Sequence, residues 1–163
     1  MSIDLYCEFH SEIAESHPIA LHQWQDWFES WERYLLSEGA IAEGEYELSL
    51  LVTDDLKMQQ LNLQYRQQDR PTDVLSFAAL ESVVPEIPMQ ISGYVEPIYW
   101  GDIIISQTTA TRQAEERDHS LTYELAWLAA HGLLHLLGWD HPDEESLEKM
   151  LNQQELMLRQ ISL

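Results

Sequence analysis

Three histidines in the C-terminal part of the chain have the residue type and spacing of metal ligands. His131, His135 and His141 lie within the segment H-G-L-L-H-L-L-G-W-D-H, residues 131–141. Side chains four residues apart lie on one face of a helix, one turn above each other. Gly138 can end that helix, because glycine enters the left-handed conformation at little steric cost. The chain can then return His141 to the same point, and three imidazoles with a fourth position open form a catalytic zinc site.

The residues between the ligands favour this interpretation over an ordinary helix with a capping glycine. The intervening positions are mostly leucine, which predicts a largely buried helix: Leu133, Leu134, Leu136 and Leu137. Unpaired polar rings cost free energy in such surroundings. Zinc is favoured because imidazole suits it, but the ligand type alone leaves nickel, copper and iron open.

The residue after the first histidine separates this segment from the zinc proteases. In the H-E-x-x-H pattern that residue is a glutamate that acts as general base, whereas here it is Gly132. The spacing otherwise matches that of the metzincin proteases with the base removed. Hydrolysis of a peptide or small amide stays an alternative function, but the site then has no glutamate to accept the proton.

A metal held by three neutral imidazoles keeps its positive charge, which suits phosphodiester cleavage. Zinc lowers the pKa of a bound water to about 7 and polarises a phosphoryl oxygen. Arg66 is the candidate for a second cation, because its planar guanidinium pairs bidentately with phosphate. A surface ion pair with Asp69 is the alternative role for Arg66, and Arg70 can extend the same patch.

Composition limits the partners and the compartment. The 163-residue chain has 8 Lys and Arg against 29 Asp and Glu, for a net charge of −21. Nucleic-acid binders usually carry a basic surface, so any RNA contact must depend on a local cationic patch and the metal. We expect a cytoplasmic protein without a membrane partner, since there is no secretory signal or bilayer-spanning apolar run and Cys7 is the single cysteine.

Hydrophobic periodicity and turn residues predict a single α+β domain over residues 1–163, with helices against one small sheet. The tryptophans of the first helix are interpreted as core packing rather than a ligand box. The predicted elements are strands at 2–9, 46–53, 74–77 and 103–105, a long loop at 81–99, a helix from Pro18 to about Leu36, a helix capped by Thr53 or Asp54, and helices at about 106–117, 120–137 and 143–160.

Four segments together resemble the YbeY family of metal-dependent endoribonucleases. They are L-N-L-Q-Y-R at 61–66, P-T-D-V-L-S-F at 71–77, G-D-I-I-I-S at 101–106 and the histidine segment at 131–141, in the family's order. The resemblance extends over about residues 45–157. The first 40 residues match only in their strand-then-helix pattern, and the loop at 78–100 looks longer than the family minimum.

The resemblance implies a zincin-like α+β domain with a small mixed sheet and a metal site on a helix and the following loop. It implies one zinc ion held by His131, His135 and His141, and hydrolysis of single-stranded RNA. Family members mature ribosomal RNA precursors, notably that of the small subunit, and act in ribosome quality control. The expected partners are therefore precursor rRNA and the ribosome or its proteins. Arg66 and Asp102 match further functional positions of the family.

Two questions about the chemistry stay open at the level of sequence. Asp140 and Asp102 are candidates for moving the proton or for orienting a ligand histidine. Trp139 either stacks on a base, which is worth about 1–3 kcal/mol, or packs under the metal loop.

A third class of function is a ribosome-associated binding factor in which zinc is mainly structural. The acidic surface suits docking on basic ribosomal proteins. Structural zinc sites, however, normally have four protein ligands, and this segment offers three.

Overall fold

Four strands form one mixed sheet in the computed structural model of the protein, which describes residues 3–79 and 96–163. The strands are β1 (Ile3–Phe9), β2 (Tyr46–Thr53), β3 (Val74–Ala78) and β4 (Ile98–Ser106). Their order is β1-β2-β4-β3, with β1, β2 and β4 parallel and β3 antiparallel to β4. The predicted α+β class with a small mixed sheet is confirmed.

The helices of the described ranges are α1 (Ser11–Ala14), α2 (Leu21–Ser37), α3 (Asp55–Arg66), α4 (Gln107–Glu116), α5 (Leu121–Leu136) and α6 (Glu144–Leu158). None of these six combines the length and apolarity needed to span a bilayer. The predicted start of α2 at Pro18 is wrong. Ala20 still has an extended backbone with ψ of 156°, and Ile19 before it is buried in the core, so the helix begins only at Leu21.

Side-chain caps explain why the starts of the later helices were predicted within a residue or two. In each case the residue before the helix accepts a hydrogen bond from a backbone N–H of the first turn, which has no partner inside the helix. These caps are Asp54, Ser106, Ser120 and Asp143. Asp54, rather than Thr53, is the cap of α3.

Strand β4 begins five residues earlier than predicted. The predicted loop at 81–99 therefore ends too late, because Ile98 and Tyr99 already pair with β2. Residues 81–95 of that loop lie outside the described residues. Gly101, two residues before the predicted strand, lies inside β4 with φ of 134°, next to a shift of register against β2. A β-bulge at a glycine of this kind continues the strand rather than ending it.

Helix α5 lies at the centre of the core and supports the candidate site. It contacts β3, β4, α4 and α6, and ten of its sixteen residues are buried. The same apolar cluster contains Trp24, Trp27 and Trp31, as the core interpretation predicted. Side chains projecting from α5 are thus held on a rigid support.

Candidate metal centre

Helix α5 and the turn after it bring the three histidines together. The ring centroids of His131 and His135 are 4.5 Å apart, and that of His141 lies 5.6 and 5.3 Å from them. One ring nitrogen from each residue lies within 4.8 Å of the other two. The structure therefore brings together the three side chains that the sequence singled out, in a cluster that can hold a metal ion.

The turn at Gly138 returns the chain to the site. Gly138 has φ of 95°, and its N–H donates to the carbonyl of His135 at 3.1 Å. The N–H of Trp139 donates to the carbonyl of Leu134 at 3.0 Å. This pair of bonds is a Schellman motif, which satisfies the last carbonyls of the helix and reverses the chain. The third histidine is thereby brought next to the first two.

The donor set fits a divalent cation. The Nε2 atoms of His131 and His135 lie 3.0 Å apart, and two facing lone pairs at this distance repel unless a proton or a cation lies between them. Burial lowers the pKa of His131 below its usual value, and the nearby His141 adds to this effect. Burial also lowers the pKa of His135, with the other two imidazoles contributing. These rings are therefore neutral near pH 7, which is the form that binds metals.

Gln154 of α6 orients the first histidine, and the sequence analysis missed it. The side chain is fully buried, and its Oε1 lies 3.0 Å from Nδ1 of His131. Since an amide oxygen only accepts, Nδ1 carries the proton and Nε2 faces His135 with its lone pair free. A signal was present in the sequence, because Gln154 is a polar residue on the apolar stripe formed by Met150 and Met157.

Substitution of Gln154 by leucine is expected to weaken metal binding about 10- to 100-fold, the usual cost of losing a partner that orients a ligand. The variant keeps a side chain of similar size but removes the acceptor for His131. Metal affinity is measured by competition with a chelator. Gln153→Leu, the same change one residue earlier on α6, is the control. Equal affinities for Gln154→Leu and wild type would show that this contact does not orient the ligand.

Gly132 is a close-packing position between α5 and the sheet. A Cβ built there would lie 2.8 Å from Cγ2 of Ile103 and 3.2 Å from the hydroxyl of Ser76. The Ser76 hydroxyl also donates to the Gly132 carbonyl at 3.1 Å. The position that carries the general base in H-E-x-x-H proteases therefore has no room for a side chain.

Gly132→Ala is expected to lower the free energy of unfolding by about 1 kcal/mol. Overpacking against the branched side chain of Ile103 costs about 1–3 kcal/mol, which outweighs the roughly 1 kcal/mol that alanine gains over glycine in a helix. Urea denaturation measures the change. Gly44→Ala is the control, since its Cβ would approach other atoms no closer than 3.4 Å. A Gly132→Ala protein as stable as wild type would show that α5 is free to move off the sheet.

Arg66 faces the histidines across a cavity of about 630 Å³. It is the last residue of α3, and its Nη2 donates to the carbonyl of Ser76 at 2.9 Å. Its guanidinium carbon lies 5.1 Å from the ring centre of Phe77. Asp69 instead accepts from Gln59, so the surface ion pair considered for Arg66 does not form. The residues that line the cavity are Arg66, Asp73, Val74, Leu75, Ser76, Ala78, His131, His135, Gly138, Trp139, Asp140 and His141.

The other residues singled out from the sequence divide between the cavity and elsewhere. Trp139 is half-buried, packs against the core and also lines the cavity, a placement compatible with both roles considered for it. Asp140 also lines the cavity, and its carboxylate accepts from the backbone N–H of His141 at 2.8 Å. Arg70 bonds to Gln68 and is not part of the cavity wall. The second cavity carboxylate, Asp73, was not singled out from the sequence.

Asp102 lies away from the histidines. Gly101 and Ile103 on either side of it face α5, toward Leu136 and Gly132. Since side chains alternate along a strand, Asp102 faces the opposite side of the sheet, where its carboxylate accepts from the Tyr99 hydroxyl at 2.5 Å. A functional part for Asp102 stays a prediction, but this placement does not support a role in orienting a ligand histidine.

The fold and the site together define a small α+β protein with a three-histidine cluster that can hold a metal ion and is open to a cavity. A family model described as Endoribonuclease YbeY matches residues 10–162. A protein of that name from Nostoc sp. is 56% identical over 140 residues, covering 86% of this chain and 74% of the relative. Another from Trichormus variabilis is 54% identical over 165 residues, covering 98% and 92%.

The solution structure of a Thermotoga maritima protein is similar in fold. Its TM-score is 0.58 at 22% identity, and the match covers 97% of this chain and 87% of that one. This likeness concerns the fold alone. On the family model and the relatives, the chain belongs to the YbeY endoribonuclease family.

Proposed function

We propose that this protein is a zinc-dependent endoribonuclease that cleaves single-stranded RNA during ribosomal RNA maturation, with the small-subunit precursor as substrate. The observation that carries the proposal is the cluster of three imidazoles facing an arginine across one open cavity. Membership of the YbeY endoribonuclease family supports the reaction class.

In this proposal His131, His135 and His141 hold one zinc ion. When bound, zinc supplies a Lewis acid for a phosphoryl oxygen and lowers the pKa of a coordinated water. The protein supplies orientation, because α5 fixes two rings one turn apart and Gln154 sets the tautomer of His131. Three protein ligands beside a cavity are typical of a catalytic site, and structural zinc sites normally have four.

Arg66 binds the phosphate of the substrate. Its Nη2 is held by the Ser76 carbonyl, which leaves the other guanidinium donors for an anion in the cavity. No carboxylate pairs with Arg66 in the part of the chain that the structure describes. Its positive charge is therefore not neutralised by a partner, and a bidentate contact with phosphate is favoured.

Asp140 is the better placed of the two cavity carboxylates for proton transfer. Asp73 is committed to the backbone N–H of Val74 at 2.7 Å and to the Gln113 side chain at 3.2 Å. Asp140 is exposed and makes one short bond, to the N–H of His141. In this proposal Asp140, next to a ligand and on the cavity wall, accepts the proton of the water that attacks the phosphorus.

The acidic surface restricts where RNA can approach. With a net charge of −21, most of the molecule repels a phosphate chain, so RNA binds where the metal and Arg66 provide positive charge. The same surface suits docking on basic ribosomal proteins. In this proposal the enzyme acts in the cytoplasm on ribosomal precursors, and it also takes part in ribosome quality control. Peptide hydrolysis is disfavoured because Gly132 leaves no space for the protease base.

Metal removal and restoration test the proposal. The purified protein is assayed on single-stranded RNA, duplex RNA, a small-subunit rRNA precursor and casein, before and after chelation and after addition of zinc. The expected result is cleavage of the single-stranded RNA and the precursor that is lost on chelation and returns with zinc. Zinc-dependent cleavage of casein alone, or RNA cleavage that survives complete metal removal, would contradict it.

A further inference from the structure

A second depression of about 350 Å³ lies beside the turn between α4 and α5. It is lined by one cationic, three aromatic or heteroaromatic and one aliphatic side chain: Arg117, His119, Tyr123, Trp127 and Leu151. We call it the α5 pocket. None of these residues lines the metal cavity.

A buried carboxylate fixes two of the residues that line the α5 pocket. Glu124 is 0% exposed, and its Oε1 accepts from Nη1 of Arg117 at 2.8 Å. Its Oε2 pairs with Nε2 of His119. A buried carboxylate is costly unless it is paired, so both partners are held in place. The Arg117 side chain is still 51% exposed, which leaves other guanidinium donors facing solvent.

Aromatic rings form one wall of the α5 pocket. The rings of Tyr123 and Trp127 are nearly parallel, with an interplanar angle of 13° and centroids 6.4 Å apart. His119 lies 4.7 Å from the Tyr123 ring. All three are partly exposed, unlike the buried tryptophans of α2. A partly exposed aromatic wall beside a fixed arginine matches the chemistry of a nucleotide, which has a flat base and an anionic phosphate.

The α5 pocket is next to the metal ligands along α5. Trp127 comes four residues before His131 and Tyr123 eight residues before it, so Trp127 and His131 are neighbours one turn apart on the helix surface. At 1.5 Å per residue, Trp127 is about 6 Å and Tyr123 about 12 Å from His131 along the axis. A single strand of RNA covers this span in a few nucleotides.

We propose that the α5 pocket binds a base of the RNA strand whose backbone is cleaved at the metal cavity. The inference rests on the proposed function and adds a second contact for the same substrate. The base stacks on Tyr123 and Trp127, while Arg117 contacts a neighbouring phosphate. Stacking of this kind tolerates any base, so the α5 pocket adds affinity and sets a minimum length of RNA without selecting a sequence.

The test compares two leucines of α6. Leu151 lines the α5 pocket and is 38% exposed, whereas Leu156 is 40% exposed and lies outside it. Leu151→Glu and Leu156→Glu add the same charge to the same helix at similar exposure. For the zinc-loaded proteins, KM is measured on single-stranded RNAs of increasing length. The readout is the ratio of KM on a short RNA to KM on a long one.

Wild type and Leu156→Glu are expected to show the same fall in KM as the RNA lengthens. In Leu151→Glu the ratio of KM on a short RNA to KM on a long one should be about 5- to 150-fold smaller than in wild type, the range that one stacked base contributes. Trp127→Leu, which removes the ring without adding charge, should show a comparable decrease in this ratio. If KM depends on RNA length in both Leu151→Glu and Trp127→Leu as it does in wild type, the α5 pocket does not bind the RNA. The proposed function would not be affected by that result. If wild type cleaves no RNA of any length, the proposed function itself fails, and the α5 pocket with it.

Discussion

His135→Ala is expected to lose the bound metal and at least about 1,000-fold of the RNA cleavage rate, since metal catalysis contributes several kcal/mol to the barrier. The His135 ring makes the two shorter contacts of the cluster, with centroids 4.5 Å from His131 and 5.3 Å from His141. Two imidazoles separated by a turn do not retain a divalent ion against a chelator as three do. Elemental analysis and an assay on labelled single-stranded RNA measure the two losses together.

The matched control is His22→Ala. His22 is exposed on α2 and is not part of the histidine cluster, so this variant should keep both metal and activity. Thermal unfolding of the two variants separates a loss of ligand from a loss of fold. Full cleavage by a His135→Ala protein that contains no metal would rule out the zinc mechanism.

Arg66→Glu is expected to reduce kcat/KM on single-stranded RNA about 100-fold. A hydrogen bond to a charged group is worth about 1.5–3 kcal/mol, and the introduced carboxylate also repels the phosphate. Metal content and thermal stability should stay close to wild type, because Arg66 is exposed and its polar contact is a single bond to the Ser76 carbonyl.

Arg70→Glu makes the same change of charge four residues away. Arg70 bonds to Gln68 and does not line the cavity, so only a small effect is expected from this variant. Equal losses in the two variants would mean that RNA responds to the overall charge of this region rather than to Arg66. Unchanged turnover by Arg66→Glu would remove Arg66 from the site.

Local signals in the sequence predicted most of the elements. The bounds of β2 were predicted residue for residue, and α5 was predicted within one residue at each end. Ser120 caps the start of α5 and Gly138 reverses the chain after it, and both signals lie within a few residues of the feature that they mark. The spacing of the three histidines is equally local, which is why their convergence could be predicted.

Features that depend on distant partners were missed. The first residues of β4, Ile98 and Tyr99, pair with β2 next to a bulge, whereas the sequence analysis placed them in the loop predicted at 81–99. Gln154 meets His131 across 23 residues. Strand alternation predicts that Asp102 and Ile103 face opposite sides, but only the packing of α5 decides which side meets the histidines. The tight contact of Gly132 with Ile103 likewise arises from packing between separate elements.

Anomalous X-ray diffraction at the zinc absorption edge, from crystals grown with zinc present, tests the metal centre most directly. The predicted result is one peak at about 2.0–2.1 Å from a ring nitrogen of each of His131, His135 and His141, the usual zinc–nitrogen distance. The contradicting result is the absence of a peak among these rings under zinc-replete conditions, or three rings that point away from one another.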